Sequence, residues 1–290
     1  MVWAKRAAKN SPLGDSVHQA PVVVVKGAGD LATGVIARLW RSGFRVVATE
    51  IARPTTVRRT VAFSEAVFTG ETVVEGLRAR LVAGRESIEQ AWRDAVIPIL
   101  VDPEAAIVRA LRPEVVVDAI MAKRNLGTRI DEAPVVIGLG PGFTAQVDVH
   151  AVVETQRGHS LGRALWEGSA EPDTGIPGEI GGRSVERLLR APCAGTLRLA
   201  DKRIGGRIAA GEAACFVDQT PVPAAIDGML RGLLHEGLEV REKMKIGDID
   251  PRGAREHCFT ISDKALAIGG GVLEAVLQRL HELHPPAHGA

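Results

Sequence analysis

The chain has 290 residues, 46% of them hydrophobic, which is ample for two domains with buried cores. Thirty-six Lys and Arg against 35 Asp and Glu leave a net charge of +1, so nucleic acid and anionic membranes find no electrostatic hold. Aromatics are 3% and Tyr is absent, which excludes a stacking platform for single-stranded bases.

The first twenty residues, "MVWAKRAAKNSPLGDSVHQA", are basic but have no apolar core, and they read as a loose tail rather than a signal peptide. Three scattered cysteines, Cys193, Cys215 and Cys258, lack CxxC spacing and fit a reducing cytoplasm. No apolar run has the length of a membrane span, so no membrane partner is expected.

Val22–Val25 is an all-β-branched run, as in a strand buried on both faces. Leu31–Ser42 carries Val35, Ile36, Leu39 and Trp40 at helical spacing, Gly43 stops it, and Phe44–Glu50 is a second buried strand. This is a βαβ unit with parallel strands and a right-handed crossover. Thr55–Val67 reads as a short helix and Glu71–Val82 as an added hairpin. Ser87–Val96 is helix, Ile97–Asp102 strand, and Pro103–Arg112 helix with proline in its first turn. Glu114–Ile120 and Ala133–Gly140 are further buried strands, and "QVDVHAVVE" alternates like a strand. The fold class is α/β, with a doubly wound, mostly parallel, Rossmann-like domain over 21–170.

A Gly- and Pro-rich linker covers 171–190. "APCAGTLR" (Ala191–Arg198) then matches "AAIDGMLR" (Ala224–Arg231) at an offset of 33, and Gly205 and Ile208 match Gly237 and Val240 at an offset of 32. The duplication predicts a small β-barrel or sandwich over 191–250. Ser262 caps a helix running to Leu283, expected to pack back on the α/β domain within a 251–290 segment of helix and tail.

Gly27-Ala28-Gly29-Asp30-Leu31-Ala32 fits G-x-G-x-x-G/A between strand and helix, with Thr33 and Gly34 continuing the turn into the helix. Open amides and the helix dipole there favour an anion such as a pyrophosphate. Glu50 ends the second strand 21 residues beyond Gly29, the distance of a ribose-hydroxyl acceptor. Asp30 brings a negative charge into this loop. As a first-turn acid it satisfies free amides, and the sharper alternative is a ligand for Mg²⁺ on the phosphates.

Other strand ends add candidates. Arg53, Arg58 and Arg59 follow Glu50, and the two adjacent arginines could clamp a phosphate or carboxylate or form a solvated helix face. Lys123, Arg124 and Asn125 follow the strand ending near Asp118. Gly138, Gly140 and Gly142 in "GLGPGF" form either a second anion nest ahead of a helical segment or a rigid turn. Asp148, His150, Glu154 and His159 lack metal-ligand spacing, so no metal site is expected. No catalytic residue stands out.

"KGAGDLATG", "TEIARPTTVRRTVAFSEAV", "VVVDAIMAKRNLGTRIDEAPVVIGLGPGFTA", "HAVVETQRGHSLGRALWEGSAEPDTGIPGEIGG" and "GDIDPRG…CFTISDKALAIGGGVLEA" resemble the YqeB-like family, called selenium-dependent molybdenum hydroxylase system proteins. The likeness runs from about Val22 to Leu280. More distantly, the glycine loop is similar to that of XdhC-type molybdenum cofactor chaperones. The resemblance implies an accessory or maturation protein that binds a nucleotide-bearing cofactor such as molybdopterin dinucleotide. It would work with a molybdenum hydroxylase or its maturation proteins, and a homo-oligomer is left open. Arg58, Arg59, Lys123 and Arg124 would then suit phosphate and a molybdenum oxyanion. The duplicated region resembles biotinyl/lipoyl-like barrels, but its hairpin tip, Asp218–Val222, carries no Lys for a swinging arm. The alternatives are an NAD(P)-dependent oxidoreductase, for which the absence of Tyr removes a Tyr-Lys proton relay, and a non-catalytic scaffold.

Overall fold

A computed structural model describes residues 20–175 and 178–285. The expected amino-terminal tail lies, apart from Ala20, outside the described residues, as does the end of the chain from residue 286.

Among the described residues the α/β unit is built on a nine-stranded sheet. In chain order its elements are β1 (Val22–Lys26), α1 (Asp30–Arg41), β2 (Arg45–Glu50), α2 (Ala66–Thr69), β3 (Glu71–Val74), β4 (Leu77–Leu81), α3 (Arg85–Arg93), β5 (Ile97–Val101), α4 (Ile107–Leu111), β6 (Val115–Asp118), β7 (Val135–Leu139), β8 (Ala151–Val153) and β9 (Ala164–Leu165). The strand order is β3-β4-β5-β2-β1-β6-β7-β8-β9, parallel from β4 to β8 and antiparallel at both edges. The six strands β5-β2-β1-β6-β7-β8 therefore reproduce the doubly wound 3-2-1-4-5-6 order. Strand order reverses between β1 and β6, where Lys26 lies beside Asp118.

Alternation along the strands divides the core in two. Val23 and Val25 face one layer with Val35 and Ile36 of α1, while Val24 faces the other with Ile88 of α3 and Val108 of α4. Both layers are apolar, which explains why the strands read as unbroken Val/Ile runs.

Three expected helices are shorter or absent. Thr55–Val67 consists of two 3-10 turns, Arg59–Val61 and Phe63–Glu65, leading into α2. The Val57 carbonyl accepts from Leu233 N–H at 2.8 Å and Arg59 reaches the Leu233 carbonyl at 3.1 Å, so this stretch is held open as a docking segment. Pro103–Arg112 contracts to α4 because Asp102 draws the amides of Ala106 and Ile107 to its carboxylate at 3.0 and 2.9 Å. "GLGPGF" leads into turns rather than a helix: Gly140 and Gly142 sit at φ +70° and +110°.

The second unit comprises β10 (Leu188–Arg190), β11 (Gly195–Leu199), β12 (Arg207–Ile208), β13 (Ala213–Val217), β14 (Thr220–Pro223), β15 (Gly228–Leu233), β16 (Glu239–Val240) and β17 (Lys245–Asp250). Two four-stranded antiparallel sheets, β10-β17-β15-β12 and β14-β13-β11-β16, share one core that includes Leu197, Cys215, Leu230 and Ile249. Leu188–Arg190, expected within the linker, pair with β17. The duplication is visible in three dimensions. β12 of the first copy pairs with β15 of the second, and β16 of the second pairs with β11 of the first.

The last element among the described residues is α5 (Asp263–Leu283), whose Ser262 cap accepts from Ala265 N–H at 3.2 Å. It packs on α1 through glycine: a Cβ on Gly34 would lie 2.3 Å from the Ala265 carbonyl oxygen. Among the described residues no helix is long and apolar enough to cross a membrane.

Candidate functional site

Gly27 follows β1 at φ +92°, a turn that an L side chain would strain, and a Cβ there would lie 3.0 Å from the Ala119 carbonyl oxygen. The turn sends the chain into α1, whose N-cap is Gly29 with no capping side chain. The amides of Gly29, Asp30, Leu31 and Ala32 have no hydrogen-bond partner among the described residues. These are the four donors that a helix start leaves open, and together they attract an anion.

They face a cleft of about 430 Å³ at the carboxyl ends of β1, β2 and β6, beside the point where the strand order reverses. Gly27, Gly29, Asp30, Leu31, Ala32, Glu50 and Arg58 line it. Ile51, Ile120, Met121 and Leu126 give it an apolar flank. A wider groove of about 1330 Å³ adjoins it and shares Pro103, Ile120 and Leu126 as walls.

Glu50 accepts from Ala28 N–H at 3.0 Å and from Ile51 N–H at 2.9 Å. Burial raises its carboxyl above the ordinary range, opposed by these two amides. Each carboxylate oxygen keeps a second lone pair for a hydroxyl donor.

Asp30 does not cap the helix. Its carboxylate turns to Arg58 at 3.3 Å, which leaves the four amides free. Arg58 is 8% exposed and also donates to the carbonyls of His257 and Thr260 at 3.2 and 3.1 Å. Arg59 is spent on Leu233 and Glu65, and Arg53 donates to the Gly237 carbonyl. All three arginines thus tie the loop after β2 to later parts of the chain.

The remaining expected residues lie outside the cleft. Ala28 is buried, Thr33 donates to the Gly29 carbonyl at 2.9 Å, and Gly34 meets α5. Lys123 pairs with Asp173 at 2.6 Å, and Asn125 folds its own loop by accepting from Gly127 and Thr128 N–H. Gly142 lies against the Arg124 backbone, Gly140 against Thr155 and Gly138 against Phe143, so these glycines serve close packing. His150 Nδ1 accepts from Val136 N–H at 3.0 Å, and burial lowers its pKa. Cys215 is a core residue whose thiol burial pushes up to about 12.

Two features escape a sequence reading. Lys26, the last residue of β1, is buried and donates to Thr128 Oγ1 at 2.8 Å and Glu132 Oε2 at 2.6 Å. Thr128 in turn donates to Asp118 Oδ2 at 2.7 Å, and burial raises the Asp118 carboxyl. This chain of polar groups forms part of the groove wall where β1 meets β6. A lysine closing an apolar strand was its one signal. The second is Lys245, which reaches the cleft from β17 of the all-β unit.

Over 271 residues, 93% of this chain, the sequence is 48% identical to "Uncharacterized protein YqeB" of Escherichia coli (strain K12). The similarity to that relative runs over most of this chain's own length. The chain spans about half the length of that relative, 50%. No family model matches the chain, and no solved structure matches it.

Proposed function

We propose that this YqeB-like chain is an accessory protein for maturation of a molybdenum hydroxylase, of the selenium-dependent kind, and that it holds a nucleotide-bearing cofactor of the molybdopterin dinucleotide type in the glycine-loop cleft. The observation that carries this reading is the uncapped start of α1: four open amides face a cleft at the strand-order reversal, with Glu50 beside them. The amides suit a pyrophosphate and Glu50 a ribose hydroxyl. The cleft alone falls in the size range of ligand pockets, and the adjoining groove extends it for a second, bulkier half of the ligand. The cofactor is cargo in this reading, and the chain's own residues bind and orient it. The molybdenum hydroxylase assignment rests on the family resemblance carried by the quoted motifs.

The doubly wound strand order equally suits a nicotinamide dinucleotide, the basis of the oxidoreductase alternative. Thermal unfolding of the purified chain with NAD(H), NADP(H), CTP and molybdenum cofactor separates the readings. A ligand of the native state raises the melting temperature by mass action. A rise with molybdenum cofactor is the expected result. A rise with NAD(P) alone supports the oxidoreductase, and no rise with any ligand favours a scaffold.

A further inference from the structure

Three acids line the cleft, and all are already engaged: Asp30 with Arg58, Glu50 with two amides, Asp102 with the amides of Ala106 and Ile107. Lys245, which opens β17, lines the same cleft, is exposed, and has no ion pair or side-chain hydrogen bond among the described residues. Its charge is therefore uncompensated beside four open amides. The buried Arg58 guanidinium on the cleft wall is already engaged by Asp30 and by the carbonyls of His257 and Thr260. Lys264, in the first turn of α5, lies within electrostatic reach of Lys245 and Asp30. Burial, then repulsion by Arg157 and Lys245, holds Lys264 below its ordinary range, although Asp30 and Glu154 oppose this. A helix start also disfavours a cation. Of the two cations that line the cleft, Arg58 is paired with Asp30, and Lys245 is the one without a carboxylate partner among the described residues.

We propose that Lys245 is the phosphate-binding cation of the glycine-loop cleft, so that a nucleoside diphosphate is held between the α/β unit and the all-β unit. The inference rests on the nucleotide reading of that cleft and adds to it a role for the duplicated unit: β17 supplies the cation and the start of α1 the amides. Lysine acts there as a point charge for phosphate, with the amides supplying direction.

Calorimetric titration of the full chain with CDP, ADP and inorganic pyrophosphate tests this. Lys245→Gln is expected to weaken binding of the preferred probe about tenfold or more, the loss of one charge-assisted contact, and to flatten its salt dependence. Lys245→Arg should retain binding within about threefold, since the charge is kept. Lys243→Gln, at an exposed lysine paired only with Glu242, should bind as wild type does. The melting temperature of ligand-free Lys245→Gln should be unchanged. Wild-type affinity in Lys245→Gln would overturn the role of Lys245 and leave the glycine-loop reading standing. Failure of the wild-type chain to bind any of the three probes would overturn both.

Discussion

Asp30 shows how an acid is accommodated beside four open amides. Its carboxylate is neutralised by Arg58 and turned away from the amides it could have capped. Asp30→Asn keeps an acceptor for Arg58 but removes the charge. It should tighten diphosphate binding severalfold in a titration, leave any Mg²⁺ dependence unchanged, and cost about 1 kcal/mol in urea unfolding. Loss of Mg²⁺-dependent binding would instead make Asp30 a metal ligand. Asp250 offers a pH signature. Burial pushes its carboxyl up, but the hydrogen bonds and charge of Arg252, with Arg231 behind, hold it down at about 2 against an ordinary 3.8. A depressed carboxylate contributes stability that is complete above about pH 4 and is lost as pH falls toward 2. Asp250→Asn should shrink the difference in unfolding free energy between pH 5 and pH 2 by about 2 kcal/mol. At this scale the Gly27–Glu50 spacing is legible in the sequence because one βαβ unit fixes it. The roles of Arg58 and Lys245 are not, since their surroundings are set by segments roughly 200 residues away in the chain.

Among elements, the α1–α5 crossing depends on glycine where backbones meet. Gly34→Ala would press a methyl onto the Ala265 carbonyl and should cost about 1–3 kcal/mol in urea unfolding. Gly270→Ala, one turn further along α5, meets open space and should stabilise by roughly 0.5–1 kcal/mol. Equal effects would mean that the two helices do not pack as described. The Ser262 cap makes α5 readable to within a residue, and the glycine stop does the same for α1. Thr55–Val67 misleads because its apolar residues serve two masters: Phe63 enters the α/β core while Val57 joins the core of the all-β unit. Local pattern cannot reveal a segment pulled between two cores. The strand expected in "QVDVHAVVE" narrows to β8 because Asp148 and His150 are drawn to the amides of Thr144 and Val136.

For the whole molecule, Val-rich strands separated by helices make the doubly wound sheet readable, and the offsets of 33 and 32 make the duplication readable. The exchange of β12 and β16 between the two copies is not, because an offset records likeness and not pairing. Nor does the sequence show that Val57 and Arg59 bind the two units together, or that Arg58 holds the segment between β17 and α5. That docking places β17 beside the glycine loop, and so gives the cleft a wall from each unit. The central claim is that this cleft holds the diphosphate of a nucleotide-bearing cofactor. The most direct test is mass analysis of the small molecule that copurifies with the chain from anaerobic cells, beside a Gly29→Val variant that crowds the open amides. The expected result is a pterin dinucleotide at about one per chain in the wild type and its loss in the variant. A wild-type chain that carries no diphosphate-bearing molecule, and takes none up when given the cofactor, would contradict the account.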